Sequence, residues 1–98
     1  MYLAVAVVDS PGNPDDCDEL RRAIESSRTS AERVEHVRVE RHRDQLLVAL
    51  WMVGWPGFDA AGTAEQLCRR ALASRSGRWG LRSCEAKMIG PGATPGMR

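Results

Sequence analysis

From Leu46 to Trp55 the chain reads LLVALWMVGW, a run in which no side chain carries a hydrogen-bonding group apart from the two indole N–H groups. As a helix, ten residues span only about 15 Å, and Gly54, Pro56 and Gly57 stop the run sharply, so the pattern predicts a strand. A strand that is apolar at every position has two dry faces. A chain of 98 residues wraps one hydrophobic core and little else. What covers the second face therefore constrains every fold this sequence can adopt.

A second apolar run, YLAVAVV from Tyr2 to Val8, ends at DSPGNP, where two prolines and a glycine interrupt regular structure. We expect a buried strand there, followed by a helix capped by Asn13 with Pro14 in its first position. Asp15, Asp16 and Asp18 then sit where the helix dipole favours anions. Cys17, Leu20, Ile24 and Ser27, widened by Ala23, form its inward stripe. The polar SSRTSAER breaks that helix, and in VEHVRVERH, Val37 and Val39 alternate with charged residues. The HRDQ turn joins this half-wet strand to the apolar run as an antiparallel hairpin. A second helix starts at Asp59 or Thr63, the latter in a capping-box arrangement with Gln66. Its stripe is Ala60, Ala64, Leu67, Cys68, Ala71 and Leu72, and Gly77 ends it. RWGLRSCEAKMI supplies a fourth strand, and residues 90–98, rich in Gly and Pro, are expected to form a flexible tail.

The order strand, helix, strand, strand, helix, strand over residues 1–89 defines one α+β domain. This order resembles the ferredoxin-like βαββαβ sandwich: a four-stranded antiparallel sheet with two helices on one face and the first and third strands at its centre. The resemblance lies in element order and implies no function.

In such a sandwich the helices cover one sheet face only. Alternation suggests Leu3, Val5 and Val7 with Leu46, Val48, Leu50 and Met52 as the helix-facing set. It leaves Tyr2, Ala4, Ala6 and Val8 with Leu47, Ala49, Trp51, Val53 and Trp55 on the other side. That second set is also apolar, and a dry patch of several hundred square ångströms marks a partner. Tyr2, Leu47, Ala49, Trp51, Val53 and Trp55 are the expected interface residues, with His36, Arg38 and Glu40 as a polar rim. The expected function is that of a non-enzymatic interaction or accessory protein, which forms a homo-oligomer or docks on a larger protein through this face. The rival is a small dimeric enzyme or ligand carrier with a Trp-lined cleft. Known ferredoxin-like dimers of the antibiotic-biosynthesis monooxygenase and stress-responsive barrel types are similar in element order, but no catalytic motif of theirs maps onto this chain.

The remaining features exclude more than they select. Leu, Ile, Val and Phe together number 19, but a formal net charge of +1, three Trp and four Met favour a folded domain. Arg outnumbers Lys thirteen to one, the bias of a GC-rich, bacterial genome. Cys17, Cys68 and Cys84 show no disulfide or metal-ligand spacing, and no pattern selects a cofactor, a metal or a catalytic residue. His36 and His42 read as surface histidines. The charge is uneven: six acids lie from Asp9 to Glu25, and Arg69, Arg70, Arg75, Arg78 and Arg82 follow later, runs that read as solvated faces sooner than as an attraction between neighbouring chains. Nucleic acid is a poor partner for this sheet, because LLVALWMV lacks the basic residue and the glycine that RNA-recognition strands carry. No glycine-rich phosphate loop follows the first strand, since DSPGNPDD crowds acids where a phosphate would sit. Tyr2–Val8 is too short for a signal or membrane segment, and the cytoplasm is the expected compartment.

Overall fold

The computed structural model describes residues 1–55, 57–73, 75 and 78–89. The elements are β1 (Tyr2–Asp9), α1 (Asp16–Ser27), a short 3-10 turn (Ser30–Glu32), β2 (Val34–His42), β3 (Gln45–Met52), α2 (Ala60–Ala73) and β4 (Gly80–Met88). The strands form one sheet in the order β2-β3-β1-β4, with every neighbouring pair antiparallel. The chain is thus an α+β fold with β1 and β3 in the middle. Leu20, Ala23 and Ile24 of α1 and Ala60, Ala64, Leu67, Cys68 and Ala71 of α2 join Ala4, Ala6, Val8, Val37, Leu46, Val48, Leu50 and Met52 in a single buried core. Both helices therefore lie on the same face of the sheet.

The faces of β1 are the reverse of those expected. Tyr2 pairs with Met52, Ala4 with Leu50, Ala6 with Val48 and Val8 with Leu46. Antiparallel partners share a face, so the even-numbered residues of β1 point to the helices with the even-numbered residues of β3. Leu3, Val5 and Val7 face the other way. β3 is also shorter than the apolar run, ending at Met52. Val53, Gly54 and Trp55 lie beyond it, where strand alternation no longer assigns a face.

α1 begins at Asp16 rather than at Pro14, and Asp15 at its N-cap makes no side-chain capping bond. The local order comes from Asp16, which is wholly buried. Its Oδ2 accepts the backbone N–H of Gly12 at 2.8 Å and of Asn13 at 2.9 Å, folding the DSPGN loop onto the helix start. Gly12 adopts a φ of 97°, a left-handed conformation that glycine enters without steric cost. At α2, Asp59 Oδ1 accepts the Gly62 N–H at 2.9 Å, the capping role expected of an acid before the first turn. The capping box lies elsewhere, in the 3-10 turn, where Thr29 and Glu32 satisfy each other's backbone N–H groups.

Part of the sequence asymmetry in charge is settled within the chain. Arg82 Nε meets Asp9 Oδ2 at 2.8 Å, Arg75 Nη1 meets Glu19 Oε2 at 3.2 Å, and Arg70 Nη2 meets Glu32 Oε2 at 2.7 Å. The proposed helix stop at Gly77 and the Gly/Pro-rich tail of residues 90–98 lie outside the described residues.

Candidate functional site: the open face of the sheet

On the face away from the helices, β1 and β3 set three apolar pairs side by side: Leu3 with Trp51, Val5 with Ala49 and Val7 with Leu47. All six side chains are half-buried. Each flanking strand continues the same three rows with polar residues. On β2, His36 pairs with Trp51, Arg38 with Ala49 and Glu40 with Leu47. On β4, Lys87 pairs with Leu3, Glu85 with Val5 and Ser83 with Val7. All six flanking residues are exposed. A dry central band is thus bordered on both edges by charge. The His36 ring stands edge-on to Trp51 at 5.4 Å and 63°, and Arg38 Nε meets Glu40 Oε2 at 2.6 Å. Because both partners of that ion pair are well exposed, solvent screening leaves it little weight in stability.

The six expected interface residues divide three ways. Leu47, Ala49 and Trp51 lie on this face. Tyr2 does not: it shares the helix side with Met52, its hydroxyl donates to the Trp55 carbonyl at 3.0 Å, and its ring centre is 5.8 Å from that of Phe58. Val53 and Trp55 stand past the end of β3, 36% and 54% exposed. The Val53 N–H donates to the Arg33 carbonyl at 3.0 Å. The Trp55 indole packs on Phe58 at 5.1 Å and beneath the Arg33 guanidinium at 5.2 Å. This corner depends on Gly54, where a Cβ would come within 2.5 Å of Phe58 Cδ2. The remaining indole, Trp79, is partly buried against the core. Leu3, Val5 and Val7 complete the face although alternation put them beneath the helices. In a strand as uniformly apolar as YLAVAVV no residue marks the phase, and only the pairing register with β3 does.

Two of the three cysteines sit in surroundings that disfavour the thiolate. Desolvation, with smaller contributions from Cys84 and Glu65, pushes the buried Cys68 thiol up to about 12. Burial likewise raises Cys84, whose Sγ lies 3.7 Å from the Ala61 carbonyl oxygen. Both are held as neutral thiols, a poor state for a nucleophile. Among the described residues, no group of three His, Cys, Asp or Glu side chains is placed to hold a metal ion, and no helix is long and apolar enough to cross a membrane. No protein-family model and no curated protein sequence matches the chain.

Proposed function

We propose that this chain is a non-enzymatic interaction protein of ferredoxin-like topology, whose open sheet face is closed by a second copy packed sheet against sheet. The observation that carries the reading is the band of Leu3, Val5, Val7, Leu47, Ala49 and Trp51, apolar on the two central strands and opposite the helices. A one-sided antiparallel sheet facing water normally carries polar residues in its centre. A specific interface buries about 800 Å² per partner, more than a band of six residues supplies, so the rims must take part. Each rim carries both signs, Arg38 and Glu40 on β2 and Glu85 and Lys87 on β4. Two copies related by a two-fold axis can then set opposite charges against each other whichever edges meet. At roughly 25 cal/mol per Å² the dry centre supplies the attraction, and the rims supply register.

The test is the solution mass. Size exclusion with light scattering should give twice the chain's 10.8 kDa across a wide dilution series, and Trp51→Glu should reduce it to a single chain that keeps its far-UV spectrum. A wild-type chain that is monomeric throughout would overturn the proposal. The alternative, an enzyme or carrier of the dimeric α/β-barrel type with a Trp-lined cleft, requires the indoles to converge. Trp51 on the open face, Trp55 at the sheet end and Trp79 against the core stand apart, which favours the interaction reading.

A further inference from the structure

A cleft of about 580 Å³ opens at the end of the sheet where β1 and β2 finish and β3 and β4 begin, lined by Asp9, Ser10, Pro11 and Gly12 on one side and by Arg41, Arg43, Asp44, Arg78 and Arg82 on the other. Its size falls in the range of small-ligand sites. Four arginines line it from two stretches of chain, Arg41 and Arg43 at the β2–β3 hairpin and Arg78 and Arg82 at the start of β4. Arg41, next to last in β2, donates to the Asn13 carbonyl at 2.8 Å, where its charge also faces the buried Asp16 carboxylate. Arg82 occupies the register shift in β4 opposite Val7 and Val8, and its Nε is held 2.8 Å from Asp9. A bulge of this kind re-aims a side chain. These two arginines are thus matched by Asp16 and Asp9. Arg43 and Arg78 are exposed and make no ion pair among the described residues, with Asp44 the one carboxylate left against them in the lining.

Two further observations separate this cleft from ordinary surface charge. Most other arginines are committed: Arg21, Arg38, Arg69, Arg70 and Arg75 pair with carboxylates, Arg28 bonds the Val34 carbonyl, and Arg33 covers Trp55. Arg22, which makes no ion pair among the described residues, lines a different depression with Asp15, Asp18 and Glu19, where the acids prevail. In addition, Arg43 holds a φ of 60° in the two-residue turn between β2 and β3. That conformation strains a residue with a Cβ, a strain that glycine would avoid. A two-residue hairpin turn calls for such a backbone; Arg33, with a φ of 56°, is the other non-glycine residue of this kind among the described residues.

We propose that this cleft binds a compact, multiply charged oxyanion of the phosphate or pyrophosphate class, gripped by Arg43 and Arg78 with Arg41 and Arg82 at its flanks. Guanidinium groups match such oxygens in bidentate geometry. Side chains rather than loop N–H groups make the site, because the chain's own Asp16 already occupies the amides of Gly12 and Asn13 that would otherwise cradle the anion.

The experiment is a pyrophosphate titration of the isotopically labelled full chain at ionic strength held constant with sodium chloride, followed by amide and arginine Nε resonances. Saturable shifts confined to Gly12, Arg43, Asp44, Arg78 and Gly80 are expected, with Kd below about 1 mM. Arg43→Gln with Arg78→Gln should weaken binding at least about tenfold, and Arg22→Gln should leave it within roughly twofold. Arg43→Gly is the sharper variant: its urea midpoint should rise as the turn relaxes, while pyrophosphate affinity falls. Shifts that grow linearly without saturation, a double variant that binds as wild type does, or an Arg43→Gly chain that gains stability without losing affinity would each overturn the proposal. A short single-stranded oligonucleotide that binds more tightly than pyrophosphate, with shifts spreading beyond the cleft, would overturn the assignment to a compact anion.

Discussion

Removing the Asp16 carboxylate tests how the start of the first crossover is built. The side chain is fully buried, and its Oδ2 satisfies the N–H groups of Gly12 and Asn13 at 2.8 and 2.9 Å. Its Oδ1 and the Ser10 Oγ are also buried and fall outside ordinary hydrogen-bond geometry, but the hydroxyl is near enough to favour the charged carboxylate. Hydrogen bonds to a charged acceptor contribute about 1.5–3 kcal/mol each, so the two amides are worth roughly 3–6 kcal/mol gross. Gly12 and Asn13 are themselves exposed, and water can re-solvate their amides once the carboxylate is gone. We therefore expect Asp16→Ala to lose about 2–4 kcal/mol, which for a chain of this size lowers Tm by about 10–25 °C. Burial alone would raise the carboxyl's pKa, but the Ser10 side chain, the Gly12 and Asn13 amides and the Arg41 charge together outweigh it, so the net direction is downward from 3.8. A depressed folded pKa means that the contribution is complete above the unfolded value and is lost as pH falls through the folded one. Urea unfolding at fixed protein concentration, followed by circular dichroism, should show the full gap between wild type and Asp16→Ala near neutral pH, shrinking below about pH 4. A variant within about 0.5 kcal/mol of wild type, or a gap that widens on acidification, would refute the reasoning.

Glu32→Gln should cost about 1–2 kcal/mol near neutral pH, since Glu32 joins Arg70 to the Thr29 amide with its side chain only 11% exposed. Desolvation opposes its ionisation, but the Thr29 and Arg70 contacts prevail and lower its pKa below 4.5; the loss should fade as a urea series is carried to acid pH, and a pH-independent loss would contradict the ion pair. Gly54→Ala should destabilise by about 1–3 kcal/mol and alter Trp55 fluorescence, because the added carbon meets the Phe58 ring; an unchanged emission spectrum would show that Phe58 does not seal this corner. Leu50→Ala, in the closed core, should cost about 2–5 kcal/mol in unfolding, whereas Leu47→Ala on the open face should chiefly weaken association in light scattering; equal effects on unfolding would mean the two faces are covered alike. At about pH 8, native Cys68 should resist iodoacetamide until the chain is unfolded in urea, as expected of a buried thiol with a pKa near 12; rapid labelling by mass spectrometry would show that the core opens there.

Much of the architecture is local and was legible without coordinates. The β2–β3 hairpin follows from a short polar turn between an alternating strand and an apolar one, and Val37 is buried between exposed His36 and Arg38 as alternation requires. The α2 stripe places Ala60, Ala64, Leu67, Cys68 and Ala71 inside at helical spacing, because a 3.6-residue period leaves one choice of face. That both faces of the β3 run are apolar also follows from its composition, as does the polar character of His36, Arg38 and Glu40 beside it.

What the chain could not specify locally is the partnership between segments far apart in sequence. β1 is apolar at every position, so either phase buries hydrocarbon equally well on paper, and only its register against β3, Ala4 opposite Leu50 and Ala6 opposite Val48, turns Leu3, Val5 and Val7 outward and Tyr2 inward. The same holds for charge. Charge is uneven along the sequence, but folding sets Arg70, Arg75 and Arg82 against Glu32, Glu19 and Asp9 and brings Arg43 and Arg78 to a single cleft. Period and polarity act over a few residues and are written in the sequence. Register and ion pairing are decided by which surfaces pack together, because their energies exist only once the distant partners meet.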